Sequence, residues 1–333
     1  MLKMIQKHDR GPEGKGLDED AGNWLRETFQ KAVRFNEPMS RHTSFHIGGP
    51  ADIWVEPENM DQLKTLVDWS MRKGIPYFVM GGGTNILVVD EGLRGVTIGM
   101  NRLTAPLEWG ETQGRIHLTA AAGVPTRRLC ALALRNGWQG MNFALGIPGL
   151  LGGAVSMNAG TGGGQMADVL EAVVVLTGQG DVVRLEKQTL RFEYRRMRLP
   201  ENITAESPYG AVVVRAEIGL SLSQGARMRN QARETLRRRA QRQPVGDYCA
   251  GSFFKNPSKD TPAGRLIDEA GLKGVSVGDA QVSTRHANFI VNRGRASAAD
   301  VLRLKALIEE TVRHRFGICL QPEVRIVGQN EEK

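Results

Sequence analysis

The chain is poor in cysteine. Cys130, Cys249 and Cys319 are odd in number and far apart over 333 residues, so neither a disulfide framework nor a zinc or other metal site is indicated, and a reducing cytoplasmic setting fits. Long apolar runs are missing too. Nothing approaches the roughly 20 residues of a membrane span, and the opening stretch, with Lys3, Lys7, His8, Asp9 and Arg10, has no signal-peptide core, so no membrane insertion is expected. Aromatic residues make up only 6%, and few lie near Arg229, Arg233, Arg237, Arg238, Arg239 and Arg242, which supply much of the net charge of +8. A nucleic-acid surface usually adds stacking rings to its cations; this run therefore reads as a solvated basic face near an anionic-ligand site, with no nucleic-acid partner. Composition leaves the oligomeric state open. Two common nucleotide motifs are absent as well: no Gly-x-Gly-x-x-Gly, hence no Rossmann fingerprint, and no Gly-x-x-x-x-Gly-Lys followed by Ser or Thr, hence no P-loop.

Glycine, by contrast, is abundant, and its 40 residues cluster. The first cluster is Gly81-Gly82-Gly83-Thr84-Asn85, set between the apolar runs Tyr77 to Met80 and Ile86 to Val89. Residues without Cβ let backbone N–H groups converge on an anion, and Thr84 and Asn85 add side-chain donors. Alone, the segment reads equally well as a turn between strands. The second cluster is Gly146-Ile147-Pro148-Gly149-Leu150-Leu151-Gly152-Gly153, followed by Asn158, Gly160 and the run Gly162 to Gly164. Proline fixes one turn, small residues keep the surface flat, and Asn158 offers an amide to a ring edge or a phosphate. A purely structural loop of this kind would sacrifice backbone entropy for no packing, so ligand binding is favoured. With both common motifs excluded, two distant loops must share the ligand, which suits an extended dinucleotide such as FAD.

The organisation is α+β. Residues 1–20 read as a flexible tail and Ala21 to Phe35 as a short amphipathic helix. Strands are expected at Ala51 to Val55, Tyr77 to Met80, Ile116 to Ala121 and Ala211 to Leu220, with a hairpin from Leu170 to Leu185 around Thr177-Gly178-Gln179-Gly180. Helices are expected at Asp61 to Lys73, closed by Gly74, and Pro125 to Asn136, closed by Gly137. Beyond the Arg-rich helix from about Gly225 to Arg242 comes a small α/β region: a helix from Thr261-Pro262 to Gly271, a strand from Ala287 to Asn292, and a helix from Ser297 to Phe316. This last helix has a capping box, Ser297 with Asp300, and one face marked by Val301, Lys305, Ile308 and Val312 with Leu304 and Leu307 beside it. The expected boundaries are 21–110 and 111–224 for two subdomains of a ligand-binding domain and 225–333 for the smaller domain.

Three further segments carry candidate chemistry. In Phe192-Glu193-Tyr194-Arg195-Arg196 the arginines can neutralise a carboxylate or form a solvated basic turn. In Gly251-Ser252-Phe253-Phe254-Lys255-Asn256-Pro257, Ser252 lacks a hydrolase nucleophile's surroundings, and a proton-donor role fits it better. Pro322-Glu323-Val324-Arg325 places a carboxylate in a short strand-like segment, where a surface ion pair is the plain alternative.

In this order, and joined by Thr43-Ser44-Phe45 and Gly48-Gly49-Pro50-Ala51, these segments resemble the UDP-N-acetylenolpyruvoylglucosamine reductase (MurB) family of peptidoglycan precursor synthesis. The likeness runs from about Arg41 to Gly328. It implies an FAD-binding domain of the vanillyl-alcohol-oxidase (PCMH) type in two α/β subdomains, plus a smaller α/β substrate-binding domain. It implies NADPH as co-substrate, UDP-N-acetylglucosamine enolpyruvate as substrate, and UDP-N-acetylmuramate as product. By the same likeness Ser252 donates a proton, Arg195 and Glu323 stabilise the developing enol, and Lys255, Asn256, Lys273 and His286 face the substrate. No His or Cys stands where covalent flavin attachment can be identified, so FAD is expected to bind non-covalently. The stretch from Gly210 to Arg242 is short for an extra tyrosine-bearing loop, which places the chain in the shorter class. Another FAD-linked oxidase or dehydrogenase of the same architecture is the alternative.

Overall fold

The computed structural model describes residues 19–204, 210–223, 225–258 and 260–328. Three layers of packing follow from three kinds of sequence pattern. The first is a four-stranded sheet in the order Val33–Pro38, Pro50–Val55, Leu93–Gly99, Tyr77–Met80, with one antiparallel pair and two parallel ones. Its crossover helix, Met60–Lys73, starts where the Asn59 side chain accepts a hydrogen bond from the Gln62 N–H and stops at Gly74, φ +64°. Leu63, Leu66 and Val67 recur at helical spacing and bury completely against Ile53, Val55, Val96 and Ile98. Each such side chain contributes about 1.5–3 kcal/mol of burial.

The second layer is a six-stranded antiparallel sheet, in which Arg115–Ala121 alternates exposed and buried positions as a half-solvated strand should. Helix Thr126–Asn136 covers its inner face, and Leu129, Cys130 and Ala133 join Ile116, Leu118, Val173 and Ile218 in one core. The third layer is the three-stranded sheet Ser276–Val277, Ala280–Val282, Ile290–Asn292, packed under helices Ala263–Glu269 and Ala298–Phe316.

This last part is not a free-standing appendage. Its core takes in Phe45, Ile47 and Leu87 from the first half of the chain. Strand Arg325–Val327 pairs in parallel with Ile86–Val88. The Asp90 carboxylate accepts hydrogen bonds from the Ala298 and Ala299 N–H groups at 2.8 and 2.9 Å, adding an anion to a helix start already closed by the Ser297/Asp300 capping box.

Most expected elements occur within a residue or two of where the pattern places them. Several do not. The first helix is Glu19–Phe29 and opens inside the stretch read as tail; residues 1–18 lie outside the described residues. It ends before Val33–Pro38, which is a strand. Strand Leu93–Gly99 was hidden by glycines, one of them the left-handed Gly95, φ +78°. The second glycine cluster is not all loop, because Leu151–Ser156 forms a short helix whose Leu151 and Val155 reach the core. In the last helix Val301, Leu304, Ile308 and Val312 are buried, whereas Leu307 is exposed and Lys305 pairs with Glu309 at 2.8 Å.

Candidate active site

The two glycine clusters meet. A Cβ placed on Gly82 would come within 3.0 Å of the Gly149 Cα, and one on Gly149 within 2.8 Å of the Thr84 Oγ1. Side chains at these positions would push the loops apart, so the sequence keeps backbone against backbone. Gly83, φ +62°, is also pinned: its carbonyl accepts a hydrogen bond from the Ser44 N–H at 3.0 Å, while the Ser44 hydroxyl donates to the Cys249 carbonyl at 2.7 Å. The Thr43-Ser44-Phe45 segment thereby ties the first loop to the segment leading into Ser252.

Asn85 has an intramolecular role that its sequence context did not indicate. Its amide donates to the Glu323 carbonyl at 3.1 Å, and its own carbonyl accepts from the Arg325 N–H at 3.0 Å. The first loop therefore holds the Glu323 segment in place. Asn158, in the second cluster, is buried, and its amide bonds the Gln165 side chain, the Glu193 carbonyl and the Ala167 N–H at 3.0–3.1 Å. Those three contacts engage its side chain within the protein, and the bond to Glu193 fixes the turn that presents Arg195.

That turn is Tyr194–Arg195, between the strands Arg191–Glu193 and Arg196–Arg198. Arg195 has φ +60°, a conformation that costs a non-glycine residue about 1–3 kcal/mol unless its surroundings hold it. The Tyr194 ring lies 4.9 Å from the guanidinium, and Nε donates to the Glu323 carboxylate at 2.7 Å. Both partners are largely buried. Burial pushes the Glu323 carboxyl above the usual carboxylate range; the charge and hydrogen bond of Arg195, and the nearby Lys255 charge, oppose this without reversing it.

Ser252 and Glu323 are carried by adjacent segments. The Phe253 carbonyl accepts from the Glu323 N–H at 2.8 Å, and the Lys255 N–H donates to the Gln321 carbonyl at 2.8 Å. Beneath them the buried Asn288 side chain accepts from the Phe254 N–H at 2.9 Å and donates to the Phe254 carbonyl at 2.8 Å. Ser252 itself follows the left-handed Gly251, φ +82°, and is half-buried. Arg195, Glu323, Ser252 and Lys255 thus gather on one framework.

The other expected substrate residues form a second group along helix Ala263–Glu269. Asn256 accepts from the Ala263 N–H at 3.0 Å. His286 lies against Gly264, where an added Cβ would approach its ring to 3.0 Å, and accepts at Nδ1 from the Asn288 N–H at 3.2 Å. Lys273 pairs with Asp268 at 2.7 Å. Burial, with the nearby Lys273 charge, holds the His286 imidazole below its ordinary value, which favours the neutral ring.

Some functional positions were not legible beforehand. Asn288 sits in an apolar strand-like run with Asn292, and a polar residue in such a run is the signal that could have marked it. Arg239 was grouped with a solvated face. Its side chain instead rests on Gly146, with Cδ and Nη1 each 3.1 Å from where a Cβ would stand. Arg239 has no ion-pair partner among the described residues; the neighbouring Cys130 thiol, pushed up to about 11 chiefly by burial, stays protonated. Thr126, beside the second loop, is fully buried; its hydroxyl has no hydrogen-bond partner among the described residues, while its N–H donates to the Gly149 carbonyl. An unpaired cation and closely packed glycines fit a large anionic dinucleotide held between the loops.

Comparison with known proteins agrees. Residues 51–186 match the family model of an FAD binding domain, and residues 243–327 that of the C-terminal domain of UDP-N-acetylenolpyruvoylglucosamine reductase. The chain is 46% identical to the UDP-N-acetylenolpyruvoylglucosamine reductase of Desulfosudis oleivorans over 94% of its own length and all of that protein's. It is 41% identical to that of Syntrophus aciditrophicus, over 92% and 95% of the two chains. The crystal structure of the Thermus caldophilus enzyme superimposes with a TM-score of 0.72 at 35% identity, covering 88% of this chain and 97% of that one. With that extent of likeness in sequence and in fold, the alternative of another FAD-linked oxidase or dehydrogenase of the same architecture is not favoured, and the chain belongs to the UDP-N-acetylenolpyruvoylglucosamine reductase (MurB) family.

Proposed function

We propose that the chain reduces UDP-N-acetylglucosamine enolpyruvate to UDP-N-acetylmuramate in the cytoplasm, with non-covalently held FAD and NADPH as the electron donor. The observation that carries the reading is the Arg195–Glu323 pair at 2.7 Å, held on one framework with Ser252 and with both glycine loops. We assign residues 21–110 and 111–224 to the two FAD-binding subdomains and 225–333 to the substrate domain, with Phe45, Ile47 and Leu87 along their seam.

The cofactor would lie along Gly81 to Asn85 and along Gly146, Ile147, Pro148, Gly149, Gly152, Gly153, Asn158 and Gly160, with Arg239 as an additional polar partner. When bound, FAD supplies the hydride that enters the enolpyruvyl double bond. The protein manages charge and protons. Adding hydride to the terminal carbon builds negative charge on the adjacent carbon and on the neighbouring carboxylate. The Arg195 guanidinium, fixed in advance by its turn, by Tyr194 and by Glu323, meets that charge without reorganising. Lys255 adds a second cation. Glu323, with its carboxyl raised by burial, can hold a proton on the enol-like oxygen. The Ser252 hydroxyl then gives a proton to the adjacent carbon. A serine is a weak acid, but a carbanion is a strong base, and fixed placement makes up the rest. Asn256, Lys273 and His286 would receive the UDP-sugar, Lys273 exchanging its exposed partner Asp268 for a diphosphate oxygen.

Anaerobic spectroscopy tests this reading. NADPH should bleach the flavin absorbance of the purified protein, and the UDP-enolpyruvyl sugar should restore it in stoichiometric amount. A protein that cannot be reconstituted with FAD, or whose reduced flavin is not reoxidised by that sugar, would overturn the assignment.

A further inference from the structure

A groove of about 410 Å³ runs between strand Glu108–Thr112 and helix Thr126–Asn136, lined among others by Pro106, Leu107, Trp109, Arg128, Leu132 and Arg135. None of these residues has a part in the site described above. The Trp109 indole is 54% exposed, with one edge against Trp138 at 4.9 Å. Arg128 and Arg135 are seven residues apart, about 10 Å along the helix. Neither guanidinium has an ion-pair or hydrogen-bond partner among the described residues, and no carboxylate lines the groove. Strand Glu108–Thr112 is the last in its sheet, so among the described residues its outer edge pairs with nothing, and all five of its residues are exposed.

An open strand edge beside a helix is the arrangement that accepts an extended peptide as an added strand, with main-chain hydrogen bonds giving affinity and side-chain pockets giving choice. We propose that this groove docks an extended acidic segment of a partner protein. An apolar side chain lies on Trp109 and Leu132, and carboxylates pair with Arg128 and Arg135. Glu111 shares the Trp109 face of the strand and Glu108 takes the other, so the carboxylates of the docked segment sit toward Arg128 and Arg135 and away from Glu111. A second copy of the chain is a poor occupant, since it brings a net charge of +8 and the same unpaired arginines. Residues 1–18 are no better matched, with Lys3, Lys7, Arg10 and Lys15 against Asp9, Glu13 and Asp18.

The test uses the full-length protein with two fluorescein-labelled peptides: Ser-Asp-Ser-Val-Ser-Asp-Ser, which in extended form puts both carboxylates and the apolar side chain on one face, and its counterpart with Lys for each Asp. Anisotropy should show binding of the acidic peptide only. The double variant Arg128→Glu/Arg135→Glu should bind it at least ten-fold more weakly and take up the basic peptide, while its reductase activity, serving as the control for folding, stays at the wild-type level. Hydrogen exchange of the backbone amides at 108–112 should slow when the acidic peptide is bound. The proposal fails if the acidic peptide does not bind, if charge reversal leaves its binding unchanged, or if 108–112 gains no protection. It fails equally if single-stranded oligothymidylate outcompetes the peptide, or if the groove proves to mediate self-association that Trp109→Ala abolishes.

Discussion

Glu171 and Glu323 each accept a hydrogen bond from an arginine Nε at 2.7 Å, yet their carboxyls are shifted in opposite directions from the ordinary value. Glu171 lies on the solvent side of the large sheet with Arg115 and His117. Burial pushes its carboxyl up, but the hydrogen bonds and charges of His117 and Arg115 outweigh that and hold it below the ordinary value. Glu323 has Arg195 in the same geometry, with Lys255 nearby, and its carboxyl is raised all the same, because burial wins. The ion pair alone therefore says little about role. What separates a surface clamp from a group able to hold a proton is how much water the fold removes.

The largest expected effect sharpens this difference where the chemistry is. Ser252→Ala should slow reoxidation of the reduced enzyme by the enolpyruvyl substrate about 10³-fold, within the range for loss of a placed proton donor, and leave flavin reduction by NADPH nearly unchanged. Equal loss in both half-reactions in stopped-flow traces would make Ser252 structural. Next, Arg195→Gln should lower kcat about 10²-fold. Arg115→Gln, which breaks the corresponding surface pair, should leave kcat within about two-fold, surface pairs being worth little. Similar losses from both would break the comparison.

Asn288→Ala strands two buried Phe254 backbone groups and should destabilise the protein by about 2 kcal/mol in urea denaturation, with loss of activity following loss of fold. Arg239→Gln should weaken FAD about ten-fold by fluorescence titration, with partial recovery in Arg239→Lys; the exposed Arg237→Gln should not weaken it. The smallest effect is the pH dependence of stability. The lowered Glu171 carboxyl contributes stability above its unfolded value of about 4.5 that is lost as pH falls, and Glu171→Gln should flatten that acid limb. The raised Glu323 carboxyl does the reverse: its contribution is complete below about 4.5 and is lost as pH rises through the raised value. Unfolding free energies of Glu323→Gln between pH 4 and 8 should therefore slope less steeply than those of the wild type on that side.

Much of this was legible in the residue order. Helical spacing in Met60–Lys73 and the Ser297/Asp300 capping box located their helices because local periodicity and capping are decided within one turn. The site was legible as a set of segments rather than as geometry. Asn85 and Asn158 read as ligand donors, and the fold gives both a further task, holding the site at Glu323 and at Glu193. Nothing local distinguishes an amide aimed at a ligand from one aimed at a carbonyl brought close by the fold. Arg239 was obscured for a related reason: six arginines in one helix look alike until packing buries one of them against Gly146. Strand Leu93–Gly99 went unseen because glycine is a poor strand former, and only the parallel neighbours on either side make it one.

The bond from Asn85 to Glu323 joins positions 238 residues apart, and strand Arg325–Val327 must find Ile86–Val88 across the same stretch of chain. Contacts this distant in sequence form late, after local helices and hairpins. A ribosome will have released both glycine loops well before the segment bearing Glu323 has left it. The cofactor cradle can therefore assemble during synthesis while the reducing centre stays incomplete, and competence for turnover arrives as the final step of folding.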